Sequence, residues 1–286
     1  MISEIEIPTQ EDFLAAPDDV IAAVAPRSMV YAPGGTRRRS VFDGVEPWSV
    51  EYVQRSYTDM VACLDVIFRY GVEHVFTPAL MASHAGEVDD VEQQLMIPVA
   101  RFVTDDHLIA LCHDRGWRVR IVPSAYHEVL QPYLVRWEEK APQNAKHTWW
   151  MTLTPSYESW WSNLFRVMKS VEVGTRADAI RAIFGEDIPD ITLYCSFGKP
   201  TISPDLFPSL LMDNVQCYWS QLAGYSLTDQ QFRKVLYDYA YMRPTWQRDK
   251  KARAKEALAH QEIWERDVIL GLGTRLGPFW YPESQS

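Results

Sequence analysis

Basic residues are scarce in this sequence of 286 residues, in which 28 lysines and arginines stand against 38 aspartates and glutamates. The formal net charge of −10 argues against the basic surface that nucleic-acid phosphates require, so no nucleic-acid partner is expected. No apolar run reaches the roughly 18 residues of a membrane-spanning helix, and the acidic N-terminal region lacks the pattern of a signal peptide. We therefore expect a soluble, cytoplasmic protein without a membrane span.

Cysteine pairs and the common catalytic motifs are also missing. The four cysteines lie far apart without CxxC spacing, which argues against a zinc site or a disulfide framework. The sequence contains no HExxH, GxSxG or P-loop motif, and its seven histidines are scattered. An acidic cluster at 87–92 makes Asp89 and Asp90 candidates for binding a divalent cation. The favoured interpretation is structural: acidic residues in the first turn of a helix interact favourably with the helix dipole.

Alternating strand and helix patterns predict a single α/β domain over residues 1–286. Short apolar stretches predict strands at 28–32, 72–80, 117–124, 190–198 and 215–222. Apolar residues at helical spacing predict helices at 48–70, 105–116, 175–185 and 226–243. These elements predict a central, mainly parallel sheet flanked by helices. The carboxyl ends of its strands share one edge, where open α/β sheets bind ligands.

The remaining segments are less regular. We predict an N-terminal extension over about 1–27 and an exposed, charged helix over 244–267, while 146–170 is ambiguous. The 11 tryptophans and 14 tyrosines fit either an aromatic-rich core or a large apolar pocket.

The stretch YAPGGTRRRS at 31–40 places arginines directly after a predicted strand. Gly34 and Gly35 allow the backbone to approach a bound anion closely, and Arg37 and Arg38 carry forked donors that fit phosphate oxygens. This combination indicates a diphosphate site. Taken alone, the stretch is better explained as a solvated turn with surface arginines, because it matches neither the GxGxxG nor the P-loop pattern.

Five segments, in chain order, resemble the tuberculosinol synthase family, also called the tuberculosinyl adenosine transferase family. VYAPGGTRRR is similar to the family's first strand and its DGTRRW-like loop, and YGVEHVFTPAL to the segment after its first long helix. SFGKPT, RKVLYDYAYMR and ILGLGTRLGPFWY are similar to later segments of that family. The resemblance implies the cis-prenyltransferase fold of undecaprenyl diphosphate synthases, and with it a homodimer.

The resemblance further implies an enzyme that binds an allylic prenyl diphosphate and ionises it. The catalytic residues implied are Tyr52, Arg37 and Arg38, and the implied diphosphate site contains Gly34, Gly35, Thr36, Arg37 and Arg38. Lys199, which stands where the family has an arginine, and Arg243 are further candidates for binding the diphosphate through their positive charge. The loop aspartate that coordinates Mg²⁺ in cis-prenyltransferases is Gly34 here, which puts Mg²⁺ as a cofactor in doubt. Other carboxylates that could carry the ion are Asp43, Asp89 and Asp90. Candidates for an aromatic wall around the cation, which also fit a packed core, are Tyr52, Tyr57, Trp149, Trp150, Trp160 and Trp161.

The leading hypothesis is an unconventional terpene synthase of cis-prenyltransferase fold. It would convert an allylic prenyl diphosphate, with a linear or bicyclic C20 chain favoured, to a terpene alcohol or olefin plus diphosphate. The first alternative is a prenyltransferase that moves the prenyl group onto isopentenyl diphosphate or a nucleoside. The second is an inactive, diphosphate-binding partner subunit, with which the glycine at position 34 is consistent.

Overall fold

Six parallel strands form the centre of the molecule: β1 (Ser28–Ala32), β2 (His74–Leu80), β3 (Arg118–Val122), β4 (Thr148–Leu153), β5 (Ile191–Phe197) and β6 (Met212–Ser220). Their order across the sheet is β3-β4-β2-β1-β5-β6. The structure, a computed structural model, describes residues 7–47, 49–86, 88–122, 127–142, 144–154, 156–203, 208–222, 224–245 and 250–283. The predicted α/β fold with a mainly parallel central sheet is confirmed.

Helices pack on both faces of this sheet. They are α1 (Gln10–Ala15), α2 (Asp18–Ala22), α3 (Thr36–Phe42), α4 (Val50–Arg69), α5 (Ala82–Ala85), α6 (Ile97–Val103), α7 (Asp106–Asp114), α8 (His127–Lys140), α9 (Ser159–Ser170), α10 (Arg176–Phe184) and α11 (Asp229–Tyr237). Strand β1 is buried along its whole length, with Met29 and Tyr31 facing one core and Val30 and Ala32 the other. Helices α4, α7 and α11 contribute to the first core, and α9 and α10 to the second. Burial on both faces explains why the central strands read as continuous apolar runs.

The element boundaries differ from the predictions in particular ways. The helix predicted over 48–70 is present as α4, with slightly different ends. Helix α11 is shorter than the helix predicted over 226–243, because the chain continues from it into a π-helical turn, Asp238–Met242. The ambiguous stretch 146–170 contains the fully buried strand β4 and then α9. Positions 1–6, 48, 123–124, 155 and 246–249 of the segments discussed above lie outside the described residues.

The N-terminal segment packs against α11. Phe13 is 2% exposed, and its ring lies edge-on to Tyr241 with centroids 5.5 Å apart. The Arg233 guanidinium, on α11, donates to the Ala16 carbonyl oxygen and to Asp18, both at 2.6 Å. These bonds join groups 217 and 215 residues apart in the sequence. The region expected to be an extension therefore contributes to the core.

The C-terminal segment, in contrast, is largely exposed. It contains α12 (Lys250–Ala259), α13 (Gln261–Trp264) and an antiparallel hairpin of β7 (Gly273–Leu276) and β8 (Phe279–Pro282). Trp264 and Leu270 are 75% and 82% exposed. Within the described ranges, no helix has both the length and the apolar character needed to cross a membrane.

Candidate functional site

The arginine loop, which we define as residues 33–39, lies where β1 ends, at the carboxyl edge of the sheet. Gly35 has a φ of 75°, a left-handed conformation that favours glycine, and helix α3 begins at the next residue, Thr36. Gly34 lies against the end of β5, since a Cβ atom there would be 3.4 Å from the carbonyl oxygen of Phe197. The chain therefore turns closely over the sheet edge and places Arg37 and Arg38 in the first turn of α3.

Tyr52 lies in the first turn of α4 and contacts this loop. The Ser49 side chain accepts a hydrogen bond from the Tyr52 N–H (3.1 Å), which fixes the start of the helix. The Tyr52 hydroxyl lies 2.8 Å from Oγ1 of Thr36, and Tyr52 is 8% exposed. A small cavity of about 10 Å³ beside these two side chains has room for at most one water molecule. The structure thus joins the tyrosine and the loop that the resemblance implied.

An ion-pair network joins the last residue of the arginine loop to α4. Asp43 accepts from Arg39 (2.8 Å) and pairs with Arg55 of α4 (2.7 Å). The hydrogen bond from Arg39 holds the pKa of Asp43 below its usual range, whereas burial raises the pKa of Asp59, one turn beyond Arg55. Asp43 was a candidate cation ligand from the sequence. Its charge instead pairs with two guanidinium groups that fix α3 to α4.

Lys199 and Arg243 have different surroundings. Gly198 follows β5 and donates its N–H to the Ser220 carbonyl oxygen (2.7 Å), which holds the segment beside Gly34 at the same sheet edge. Lys199 comes next and is exposed there. Arg243 pairs with Asp238 (2.8 Å) and lies 4.3 Å from the Tyr218 ring centroid. Within the described ranges, no hydrogen bond or ion pair joins Arg243 to the arginine loop. Lys199 follows Phe197 by two residues, and the Phe197 carbonyl oxygen lies beside Gly34.

Magnesium does not fit the donor set of the arginine loop. Residues 33–39 contain no carboxylate, and carboxylates are the side chains by which proteins usually hold this ion. Asp90 accepts from the backbone N–H of Gln93 (3.0 Å) and so caps the turn that follows it, while Asp89 is exposed. Among the residues that the structure describes, no three His, Cys, Asp or Glu side chains are grouped to hold a metal.

Most of the aromatic residues considered for a wall around the cation pack in the core instead. Trp149 and Trp150 point to opposite faces of β4, and each is at most 4% exposed. The Trp149 indole N–H donates to Thr77 (2.7 Å), and Trp150 stacks on Phe76 with centroids 5.6 Å apart. Tyr57 packs against Phe102 in the core, Trp160 packs at the edge of the second core, and Trp161 is exposed. Tyr52, in contrast, forms a hydrogen bond with the arginine loop.

Two contacts at the site were not predicted from the sequence. The Arg38 guanidinium lies 5.7 Å from the centroid of the Phe279 ring, so the C-terminal hairpin covers part of the loop. The Gly224 N–H donates to the Gly34 carbonyl oxygen (2.9 Å). The glycine and proline between GTRL and FWYP are a hairpin signal that could have placed Phe279 directly after a turn. No local pattern marks Gly224.

Comparisons with known proteins add relatives that match most of the chain. The chain is 37% identical over 280 residues to (+)-kolavelool synthase from Herpetosiphon aurantiacus, covering 98% of this chain and 97% of the relative. It is 19% identical over 250 residues to tuberculosinyl adenosine transferase from Mycobacterium tuberculosis, covering 82% and 83% of the two chains. No protein-family model matches the chain.

Solved structures show the same fold. Lavandulyl diphosphate synthase from Lavandula x intermedia, in complex with dimethylallyl diphosphate, matches with a TM-score of 0.60 and 12% identity, covering 77% of this chain and 97% of that one. A probable undecaprenyl diphosphate synthase from Campylobacter jejuni matches with a TM-score of 0.54 and 13% identity, covering 78% and 97%. The fold implied by the sequence resemblance is therefore confirmed.

Proposed function

Because the chain belongs to the family that includes (+)-kolavelool synthase and tuberculosinyl adenosine transferase, we propose that it is an unconventional terpene synthase of cis-prenyltransferase fold. It ionises an allylic prenyl diphosphate, with a linear or bicyclic C20 chain, and forms a terpene alcohol or olefin plus diphosphate. The observation that carries this proposal is the match to a synthase along almost the whole chain. The contact between Tyr52 and the arginine loop supports it independently.

The residues of the loop suit the leaving group of this reaction. The bond between the allylic carbon and the diphosphate oxygen breaks, and the electron pair leaves with the diphosphate. Arg37 and Arg38, with the backbone N–H groups of Gly35 and Thr36, place donors where this negative charge develops. Lys199 adds a cation from the neighbouring segment. This assignment of the diphosphate site is supported by the position of the loop at the carboxyl edge of the sheet.

Tyr52 is assigned to the cation that remains. Its hydroxyl oxygen is held beside the loop by Thr36, where its lone pairs can stabilise the allylic cation or accept its proton. Loss of that proton gives an olefin. Addition of water followed by loss of a proton gives an alcohol.

Incubation with geranylgeranyl diphosphate alone tests the proposal. We expect diphosphate release together with an extractable terpene, and loss of both in Arg38→Ala. Arg181→Ala is the matched control, because Arg181 is half-exposed on α10 and pairs with Asp178 and Asp187. Absence of release and of terpene across C15, linear C20 and bicyclic C20 diphosphates would contradict the proposal.

A transferase is the second candidate, favoured by the match to tuberculosinyl adenosine transferase. In that case release requires an acceptor, so parallel reactions with isopentenyl diphosphate and with a nucleoside separate the two functions. Turnover by the wild-type protein under any of these conditions contradicts the inactive-subunit hypothesis.

Three further points stay predictions. The homodimer rests on the family resemblance and is tested by analytical ultracentrifugation. The cytoplasmic location is tested by cell fractionation. Mg²⁺ dependence is tested by repeating the diphosphate-release assay with EDTA. Because the arginine loop has no carboxylate, its side chains alone are not expected to hold the ion.

A further inference from the structure

We propose that Gly224 is a positioning residue, which sets the arginine loop against Tyr52 although it lies nearly 190 residues further along the chain. The inference rests on the proposed function for its catalytic readout. Its geometric basis is the position of Gly224 and Tyr225, which lie between β6 and α11 and border the same small cavity as Thr36 and Arg39.

A hydrogen bond and a backbone conformation together fix the position of Gly224 against the arginine loop. Its N–H donates to the carbonyl oxygen of Gly34 (2.9 Å), which fixes the loop backbone directly before α3. Its φ is +77°, a conformation that side-chain-bearing residues rarely adopt. The hydrogen bond and the turn together place the Gly224 Cα against the first turn of α3.

The contact at this point leaves no room for a side chain. A Cβ atom on Gly224 would lie 2.9 Å from Arg39 Cβ, 3.2 Å from Arg39 Cγ and 3.7 Å from Thr36 Cα. The adjoining cavity, about 10 Å³, is too small for a methyl group to enter. Any side chain at 224 must therefore move α3 or the segment that carries it.

The Arg39 side chain is held at its guanidinium end, which opposes such a movement. Its guanidinium donates to Asp43, and Asp43 pairs with Arg55 of α4. The contact with Thr36 lies one residue from Arg37, and Thr36 itself bonds to Tyr52. A side chain at position 224 would therefore displace the start of α3. That displacement would move Thr36 relative to the Tyr52 hydroxyl, and would also move Arg37 and Arg38, which carry the proposed chemistry.

The test compares Gly224→Ala with Gly185→Ala. Gly185 ends α10 with a φ of +80°, and a Cβ atom there would have no neighbour within 4 Å. Both variants place alanine at a similar positive φ, and only Gly224→Ala adds the close contact. We expect kcat to fall by about 100-fold in Gly224→Ala, the effect of a displacement near 1 Å at a reacting centre, and to stay near wild type in Gly185→Ala.

A binding measurement separates this proposal from the proposed function. Calorimetric titration with inorganic diphosphate should show affinity weakened about tenfold or more in Gly224→Ala and unchanged in Gly185→Ala. If the wild type binds diphosphate but turns over no prenyl diphosphate, the proposed function fails while the positioning role is still measured. Equal kcat and equal affinity in two folded variants would overturn the positioning role.

A double variant keeps the test valid if Gly224→Ala does not fold. Arg39→Gly removes both of the closest atoms, and the combined Arg39→Gly/Gly224→Ala protein is compared with Arg39→Gly alone. Diphosphate affinity within about twofold of Arg39→Gly supports the contact as the cause. A folded double variant that remains at least tenfold weaker than Arg39→Gly overturns it.

Discussion

Replacing Tyr52 by phenylalanine should separate the chemistry of the site from its stability. The substitution removes one hydroxyl group and leaves the ring, which is 8% exposed, in its place. The lost hydrogen bond to Thr36, at 2.8 Å, is a neutral pair of hydroxyls. Such a bond contributes about 1 kcal/mol to the free energy of unfolding, which corresponds to a lower Tm by about 2–4 °C for a chain of this size.

The expected effect on turnover is much larger. If the hydroxyl oxygen stabilises the cation or accepts its proton, its removal should lower kcat by about 100- to 10,000-fold. The KM for geranylgeranyl diphosphate should change little, because Arg37 and Arg38 still hold the diphosphate. Diphosphate release measures kcat and KM, and circular dichroism during heating measures Tm.

The chain contains a matched control for this experiment. Thr192 and Tyr239 form a second threonine–tyrosine hydroxyl pair, with oxygens 2.7 Å apart, at the start of β5 and away from the arginine loop. Tyr239→Phe should lower Tm by a similar amount and leave kcat near the wild-type value. A Tyr52→Phe protein whose kcat stays within threefold of Tyr239→Phe would refute the catalytic role of Tyr52.

Two further predictions concern stability. Arg233→Ala removes a largely buried guanidinium that donates to the Ala16 carbonyl oxygen, to Tyr70 and to Asp18, so we expect a loss of about 2 kcal/mol in urea unfolding. Arg69→Ala breaks only a half-exposed pair with Asp229, and should cost less than about 1 kcal/mol; equal losses would contradict this account. Burial lowers the pKa of His74, whose Nδ1 accepts from the Trp150 indole N–H (3.1 Å). Because the unfolded state then binds the proton more readily, stability should be fully present above about pH 6.5 and decline as the pH falls below it. His74→Gln should flatten that decline, and an unchanged slope would show that other groups cause it.

The sequence predicted the features that depend on neighbours in the chain. The apolar run that forms β1, the glycines after it and the helical spacing of α4 are local patterns, and they located the arginine loop and the helix after it. The family resemblance, not a local pattern, singled out Tyr52 on that helix. Family resemblance supplied the fold, which the solved structures confirmed. The ambiguity of 146–170 also has a local cause, because TWWMTL is buried on both faces and shows no alternation.

Other features depend on contacts between distant segments. Gly224 matters through atoms of Arg39 and Thr36, and a lone glycine near a predicted helix gives no sign of such a contact. Trp149 and Trp150 fitted both a pocket wall and a core from composition, and only their positions on β4 decided between the two. Arg243 sits in a segment that resembles the family, but Asp238 five residues earlier pairs with its charge.

The hydrogen bonds between the N-terminal segment and Arg233 can form only late in protein synthesis. At about 5–20 residues per second, roughly 10–45 s separate the emergence of Ala16 from that of Arg233, its partner 217 residues later. Throughout that interval Phe13 lacks the α11 rings against which it packs. The nascent chain therefore exposes its first apolar segment to chaperones and proteases until translation is nearly complete, and yield in cells can change without any alteration of the arginine loop.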